Sequence, residues 1–379
     1  MGSSIDKITL SGFKSIEKLE DFRLSELTVL IGANGAGKSN FVDFFRMLRT
    51  FADESFQQYV NESGGGDGFL FLGPKVTSEI SSRIEFGSNA YEFDLKPTAA
   101  GTLQIAEEHV DYAKDGKFAW IKNFSRGTAI GFGSLESVLK KRKDDKSNWH
   151  SGYPGVPHYV FSAVSSWTVY HFHDTSSLAP MRRDHSLRDS QRLRHDASNI
   201  ASYLLHLKES QPGSYELIRD TVRLIAPFLD DFLLRPQTKG TNELVRLEWQ
   251  QKGSDFPFQP NQLSDGTIRF VCLATCLLQP DPPSTIVIDE PELGLHPYAI
   301  SILADLIQSA SKRTQVIIST QSPTLLDYFE PKQIVVVNRV NGRSTFERLD
   351  AQALAGWLED YSVGELWQKN VVRGGPARE

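Results

Sequence analysis

The chain has only two cysteines in 379 residues, Cys272 and Cys276. Four residues apart on a predicted helix, they are poorly placed to bridge, so a disulfide-held fold is excluded and both read as small apolar residues facing the core. No apolar run is long enough to cross a bilayer; 268–278, among the longest, is interrupted by Arg269. Met1-Gly2-Ser3-Ser4 leads into Ile5-Asp6 with neither the basic start and apolar stretch of a signal peptide nor the Ser or Thr of a myristoylation motif. A cytoplasmic location is the expectation. Basic charge is not in excess either: 41 Lys and Arg stand against 47 Asp and Glu, a net charge of −6. That excludes a general polyanion-binding coat and leaves local basic segments, Arg182, Arg183, Arg188, Arg192 and Arg194 in one, Lys140, Lys141, Arg142, Lys143 and Lys146 in another. Internal repeats and long heptad runs are missing, so neither a solenoid nor an extended coiled-coil arm is expected. With 40% hydrophobic and 23% charged residues, the chain can bury one large core or two smaller ones.

The ordering of a few short segments carries the information. Leu27-Thr28-Val29-Leu30-Ile31 is almost continuously apolar, as a central strand covered on both faces would be. It runs straight into Gly32-Ala33-Asn34-Gly35-Ala36-Gly37-Lys38-Ser39, after which Phe41, Phe44, Phe45 and Leu48 recur at helical spacing. Strand, glycine loop and helix thus come in the order a phosphate-binding loop requires. Gly32, Gly35 and Gly37 would let backbone amides curl around a β-phosphate, and Lys38 would reach the β and γ oxygens. The Ser39 hydroxyl would ligate Mg2+ at a helix N-terminus that favours anions. Asn34, Gly35, Gly37, Lys38, Ser39 and Asn40 are the candidate nucleotide contacts.

The rest of the first third is strand-rich, with Ile8-Thr9-Leu10, Arg83-Ile84-Glu85-Phe86 and Tyr91-Glu92-Phe93-Asp94-Leu95, and a flexible glycine loop at 64–68. Residues 110–155 mix Lys, Asp, Gly and Ser with little periodicity and are expected to form a mobile insertion. Along 167–174, His171 and His173 would share one face of a strand and Asp174 the other. That placement cannot converge on a metal, so packing roles are expected. Asp196-Ala197-Ser198-Asn199 marks a helix start, followed by the stripe Ile200, Leu204, Leu205 and Leu207. The five arginines before it are candidate contacts for a polyanion or for an acidic partner surface.

In the last third Leu263-Ser264-Asp265-Gly266-Thr267 precedes an apolar helix, which puts Ser264 and the amides near Gly266 at a helix N-terminus aimed at an anion. Thr285-Ile286-Val287-Ile288 is an apolar strand closing on two carboxylates. Asp289 suits a magnesium ligand, and Glu290 suits the base that orients and deprotonates a water in line with a γ-phosphate. A turn, Pro291-Glu292-Leu293-Gly294-Leu295-His296-Pro297, leads to a helix over about 298–310, and the strand 315–320 ends in Gln321. Asn341-Gly342 predicts a tight hairpin, and Ser362 with Glu365 a capping box. Trp357, on a short apolar helix between them, is expected to pack on the body of the protein.

In order, spacing and residue type these segments resemble the ABC-type ATPase heads of the SMC, RecF and OLD-like group, with Walker A, LSxG signature, Walker B, D-loop and switch in succession over about 5–370. The opening Leu10-Ser11-Gly12-Phe13-Lys14-Ser15 resembles the strand that begins such heads. His171-Phe172-His173-Asp174-Thr175, the run 290–297 and Tyr361-Ser362-Val363-Gly364-Glu365-Leu366-Trp367 are similar to stretches in predicted bacterial ATPases of the AAA_21 type. The resemblance implies an α/β P-loop NTPase fold, an ABC-ATPase head with a mixed central sheet, an antiparallel N-terminal β-subdomain and a helical lobe carrying the signature. It implies one head over 1–379: an N-terminal β and Walker A part (1–107), an inserted lobe with the arginine segment (108–262), and a part running from signature to C-terminal helices (263–379). ATP and Mg2+ are the implied cofactors, with Glu290, Gln321 and Lys38 catalytic. The implied homodimer closes around two ATP molecules, Ser264, Asp265 and Gly266 of one copy covering the phosphate held by the other, with Gly294 and His296 in the D-loop.

Further absences shape the functional expectation. The switch position holds Gln321 rather than the histidine usual in such heads; an amide hydrogen-bonds but cannot become cationic, so slow turnover is expected. No glutamine has a Q-loop motif around it, and Gln57, Gln58 and Gln104 are the candidates. The chain ends at Glu379, too soon after Gln321 for the Toprim domain that OLD-like nucleases carry there. The expected function is therefore a Mg2+-dependent ATPase whose ATP-gated dimer regulates a separately encoded effector, such as a nuclease or toxin, in antiphage defence or DNA maintenance. A stand-alone DNA-end clamp and a non-hydrolysing scaffold are the alternatives. DNA or RNA is a candidate partner and a membrane is not. A transporter subunit is disfavoured because Asp265 and Thr267 depart from the LSGGQ usual there.

Overall fold

The computed structural model describes residues 3–113, 127–148 and 152–372. β1 (Lys7–Phe13) and β2 (Ile16–Arg23) form an antiparallel hairpin, and β3 (Leu27–Ile31) follows with all five residues buried, as a strand covered on both faces must be. Helix α1 (Lys38–Asp53) starts directly from the glycine loop and buries Phe41, Phe44, Phe45, Leu48 and Phe51, the spacing of one helical face; α2 (Phe56–Glu62) continues it. β4 (Ile80–Phe86), β5 (Asn89–Pro97), β6 (Leu103–Tyr112) and β7 (Thr128–Ser134) complete an antiparallel sheet of order β2-β1-β4-β5-β6-β7. In β4 every second residue is buried, so this sheet turns one face to its core. The end of β6 and all of β7 come from the stretch expected to be a mobile insertion, which is thus in part a sheet edge; 114–126 and 149–151 lie outside the described residues.

Short helices α3 (Leu139–Arg142) and α4 (Val156–Val164) lead to β8 (Trp167–Tyr170). A smaller lobe follows. It contains β9 (His185–Ser186), α5 (Ile200–Ser210), α6 (Pro212–Ile225), β10 (Leu229–Leu233), β11 (Gln237–Lys239), β12 (Asn242–Val245), β13 (Glu248–Gln251) and β14 (Pro257–Phe258), the strands pairing as β10-β13-β14 and β11-β12-β9. Helix α7 (Asp265–Leu278) buries both cysteines, unbridged. The chain then alternates β15 (Thr285–Asp289), α8 (Pro297–Ser311) and β16 (Gln315–Thr320), and ends in α9 (Pro323–Leu326), the hairpin β17 (Ile334–Val340) and β18 (Arg343–Arg348), and helices α10 (Ala355–Leu358) and α11 (Val363–Gln368). At that hairpin Asn341 and Gly342 both have positive φ, 51° and 76°, the backbone an Asn-Gly turn supplies.

The central sheet has the order β18-β17-β3-β16-β15-β8, parallel throughout except for β18, so it is mixed. Its period-two alternation feeds two separate cores. Val29, Ile31, Ile286, Ile288, Val316 and Ile318 face the core shared with α5 to α8, while Leu30, Val287, Ile317 and Val335 face α1 and the antiparallel sheet. The architecture is therefore α/β, a P-loop head with an antiparallel N-terminal β-subdomain and a helical lobe carrying the LSDGT segment. Trp357 does not pack on the body: it is 49% exposed, and the C-terminal helices bury Val363, Gly364 and Leu366 instead.

Candidate functional site

In parallel α/β sheets the space beyond the C-terminal strand ends is where ligands sit, because loops there leave backbone groups and side chains free to converge. Here β3, β16 and β15 end side by side, Ile31 opposite Thr320 and Ser319 opposite Asp289. The glycine loop, Gln321 and Glu290 leave the sheet at that edge. Lys38 is 5% exposed, and its ammonium donates to the carbonyls of Gly32 (2.7 Å) and Ala33 (3.2 Å). Burial lowers its pKa, opposed by the nearby charges of Glu290, Asp289 and Glu292. The Ser39 hydroxyl stands exposed on the first turn of α1, and Asn34 and Gly35 are exposed on the loop.

The loop is moulded on a floor that the sequence does not announce. Gly37 has φ 112°, and a methyl there would overlap the Ser344 hydroxyl and lie 2.7 Å from that of Ser15. The Ser15 and Ser344 hydroxyls bond each other at 2.6 Å; Ser344 donates to the carbonyl of Ala36, and the Asn40 side chain donates to Ser15, each also at 2.6 Å. Gly32 is equally confined, since a methyl there would strike the carbonyl of Val337. Asn40 thus serves the floor of the loop rather than its open side.

Around the carboxylates, Ser319 donates to Asp289 and the Gln321 side chain donates to Glu290. Glu290 adopts φ 45°, a left-handed conformation rare for a side-chain-bearing residue and held by its amide bonding to Ser319 at 2.9 Å. The ring of His173 donates from Nε2 to the Asp289 carbonyl at 2.8 Å. β8 ends at Tyr170, so His171 and His173 leave the strand, and their rings lie 4.4 Å apart. Among the described residues no cluster of His, Cys, Asp and Glu could hold a metal ion by itself. A magnesium ion would need phosphate oxygens and water beside Ser39 and Asp289, as this cation usually does.

Ser264 caps α7, accepting from the Thr267 amide at 3.1 Å. Asp265 pairs with Arg182 at 2.9 Å, and a methyl on Gly266 would lie 2.6 Å from the carbonyl of Gly294, so signature and D-loop touch. Gly294 has φ 74°, and His296 caps α8. The guanidinium of Arg269, 6% exposed, donates to the carbonyls of Phe172 (2.9 Å), His173 (3.0 Å) and Leu293, tying the helix both to the segment after β8 and to the D-loop. Among the described residues no hydrogen bond joins Ser264, Asp265 or Gly266 to the glycine loop.

The arginine segment is dispersed. Arg182 is buried and spends its donors on Thr175, Pro260, Leu263 and Asp265, which removes it from the surface. Arg194 pairs with Asp189, while Arg183, Arg188 and Arg192 are exposed. A large groove holds Arg192 and Arg194 together with Arg46, Arg49, Lys312 and Arg313, but also Asp6, Glu26, Asp53, Glu62, Asp189 and Asp281, so its charge is balanced. In the second basic segment Lys140 pairs with Glu54 and Arg142 with Asp145. Gln57 and Gln104 bond carbonyls within the antiparallel-sheet region and Gln58 bonds Glu62, so none of the three lies at the strand ends.

One protein-family model, AAA_21, described as "AAA domain, putative AbiEii toxin, Type IV TA system", matches residues 27–128 and 132–327. Among solved structures the chain is similar to an SMC head bound to the C-winged helix domain of ScpA, with 15% identity over 93% of this chain and 99% of that one and a TM-score of 0.61. It is also similar to the Smc head domain with an extended coiled coil bound to the C-terminal domain of ScpA, derived from Pyrococcus furiosus, at 15% identity over 94% and 98% and a TM-score of 0.58. At such identities the likeness concerns the fold alone. No curated protein matches the chain closely enough to count as a relative.

Proposed function

The chain belongs to the AAA_21 family, and from that premise we propose that it binds and hydrolyses Mg2+-ATP, closes as a homodimer around two ATP molecules, and through that closure controls a separately encoded effector. One observation carries the hydrolytic part. A buried lysine at the head of α1 lies within the field of Asp289, Glu290 and Glu292, with Gln321 bonded to Glu290, all at the ends of adjacent strands. In this reading the amides of 32–39 and Lys38 hold the phosphates, the lysine turning outward from the Gly32 and Ala33 carbonyls to do so. Ser39 and Asp289 would hold Mg2+, which supplies charge neutralisation at the phosphate oxygens. Glu290 orients and deprotonates water, and Gln321 fixes that carboxylate without adding a positive charge, which favours slow turnover.

The dimer reading rests on a different surface. Ser264, Asp265, Gly294 and His296 are exposed, and beside them Leu293 and Tyr298 are 45% and 56% exposed, an apolar pair next to anion-directed amides. A second copy presenting phosphate there would cover both. The toxin and toxin-antitoxin wording of the family description supports an effector of the nuclease or toxin kind, in antiphage defence or DNA maintenance.

Phosphate release and light scattering on the purified chain test both parts. Wild type should release phosphate slowly and dimerise with ATP. Glu290→Gln should bind ATP, lose about 100-fold or more in turnover and remain dimeric, while Lys38→Ala should lose ATP affinity. Glu290→Gln turning over at the wild-type rate would rule out its role as base.

A further inference from the structure

Glu292, one of the three carboxylates around Lys38, is given no chemical role in the reading above. It lies two residues beyond Glu290, largely buried, and its Oε1 accepts from the Thr320 hydroxyl at 2.6 Å and from the Gln321 amide at 3.2 Å. Its Oε2 is buried with no hydrogen-bond partner among the described residues. Lys38 does not pair with it directly, because the ammonium is turned onto Gly32 and Ala33. The same Gln321 whose backbone Glu292 holds donates its side chain to Glu290. A buried acceptor therefore anchors the root of the residue whose tip holds the proposed base.

We propose that Glu292 is a positioning residue: by fixing the end of β16 through the Thr320 hydroxyl and the Gln321 amide, it sets where Gln321 holds the Glu290 carboxylate. The proposal rests on the hydrolytic reading above. Burial raises the Glu292 pKa and the neighbouring charge of Glu290 adds to the rise, against the hydrogen bonds from Thr320 and from the amides of Glu292 and Gln321, which lower it. Because one oxygen accepts both bonds, a glutamine amide keeps the shape and the acceptor that this carboxyl presents. Alanine instead removes the acceptor from both donors and leaves the Gln321 amide unpaired.

The experiment combines phosphate-release kinetics with hydrogen–deuterium exchange of the nucleotide-free chain over 316–324. Glu292→Ala should lower kcat by about 100-fold, the scale of a misplaced reacting group, while KM for ATP stays within about twofold, since no ground-state contact is lost. Glu292→Gln should stay within about threefold of wild type. Thr320→Val, which keeps the carboxylate and deletes one donor, should lose about tenfold. Combining Glu292→Ala with Gln321→Ala should slow the chain no further than Gln321→Ala alone, because both act through one side chain. The Gln321 amide should exchange faster in the alanine variant and at the wild-type rate in the glutamine variant. Glu292→Ala with wild-type kcat, Glu292→Gln as slow as alanine, additive losses in the double variant, or unchanged exchange would each overturn the proposal. A wild-type chain that releases no phosphate while exchange responds as expected would sink the hydrolytic reading and leave the positioning of Gln321 by Glu292 standing.

Discussion

Two glycines of the phosphate loop look alike in the sequence and differ in what surrounds them. Gly35, at φ 78°, has nothing within 4 Å of where a Cβ would sit, whereas Gly37, at φ 112°, would drive one into the Ser344 hydroxyl. Gly35→Ala therefore meets only backbone strain, about 1–2 kcal/mol, while Gly37→Ala adds a clash with an interlocked hydroxyl pair. Thermal unfolding should show a clearly larger fall in Tm for Gly37→Ala, with loss of ATP binding; equal shifts would mean that the floor yields. Where the lysine, the serine and the paired carboxylates lie, at a helix start and a strand end, was legible because each belongs to one contiguous segment with its strand or helix beside it. The pairing of Ser15 with Ser344 was not, because Ser344 has no local motif, the stretch that Ser15 closes says nothing of a partner, and their meeting joins positions 329 apart in the chain. Glu292 was hidden differently: it stood in a recognised segment, but its partners are Thr320, the last residue of β16, and Gln321 just after it. His173 was read for its strand face, yet the strand ends before it.

At the scale of elements, one side chain of α7 ties the signature helix to both the segment after β8 and the D-loop. Arg269 satisfies three carbonyls from two segments and has no carboxylate within hydrogen-bonding distance in the described structure, so removing it leaves several buried acceptors open. Arg269→Met should cost about 3 kcal/mol in urea unfolding, and Arg269→Lys should recover only part, because a compact ammonium cannot span the fork. A loss below about 1 kcal/mol would mean water replaces the guanidinium. The element's start was readable from Ser264 before an apolar run, and its N-cap bond follows. What the guanidinium does was not readable: Arg269 appeared only as an interruption in an apolar stretch, and its carbonyl partners are backbone groups, which carry no sequence signal. The insertion reading failed at β7 for a related reason, since an edge strand with one wet face has too few apolar residues to show alternation.

For the whole molecule, the proposed dimer makes association depend on the exposed Leu293 and Tyr298, which flank the Gly294 that touches the signature at Gly266. Ser264→Arg should block ATP-dependent dimerisation while a single copy still binds ATP, and Leu293→Asp should weaken the dimer by about tenfold or more, the cost of placing a charge in an apolar contact. Sedimentation at several concentrations with and without ATP measures both; ATP-driven dimers of unchanged affinity in either variant would move the interface elsewhere. The architecture itself was legible because strand, loop and motif order are fixed by the chemistry of phosphate binding. The division of the core in two by the sheet was not, because it depends on which face each apolar side chain of a fully buried strand takes.

The seating of β3 between β16 and β17 has a consequence for synthesis. The strand that delivers the phosphate loop leaves the ribosome well before both of its sheet neighbours and before Ser344, whose hydroxyl lies under Gly37. Pairings so distant in sequence form slowly and late. A nascent chain arrested before β17 therefore carries the glycine loop in full without the strand and the hydroxyl that shape its floor, so the loop takes its final form only once β17 and β18 have emerged.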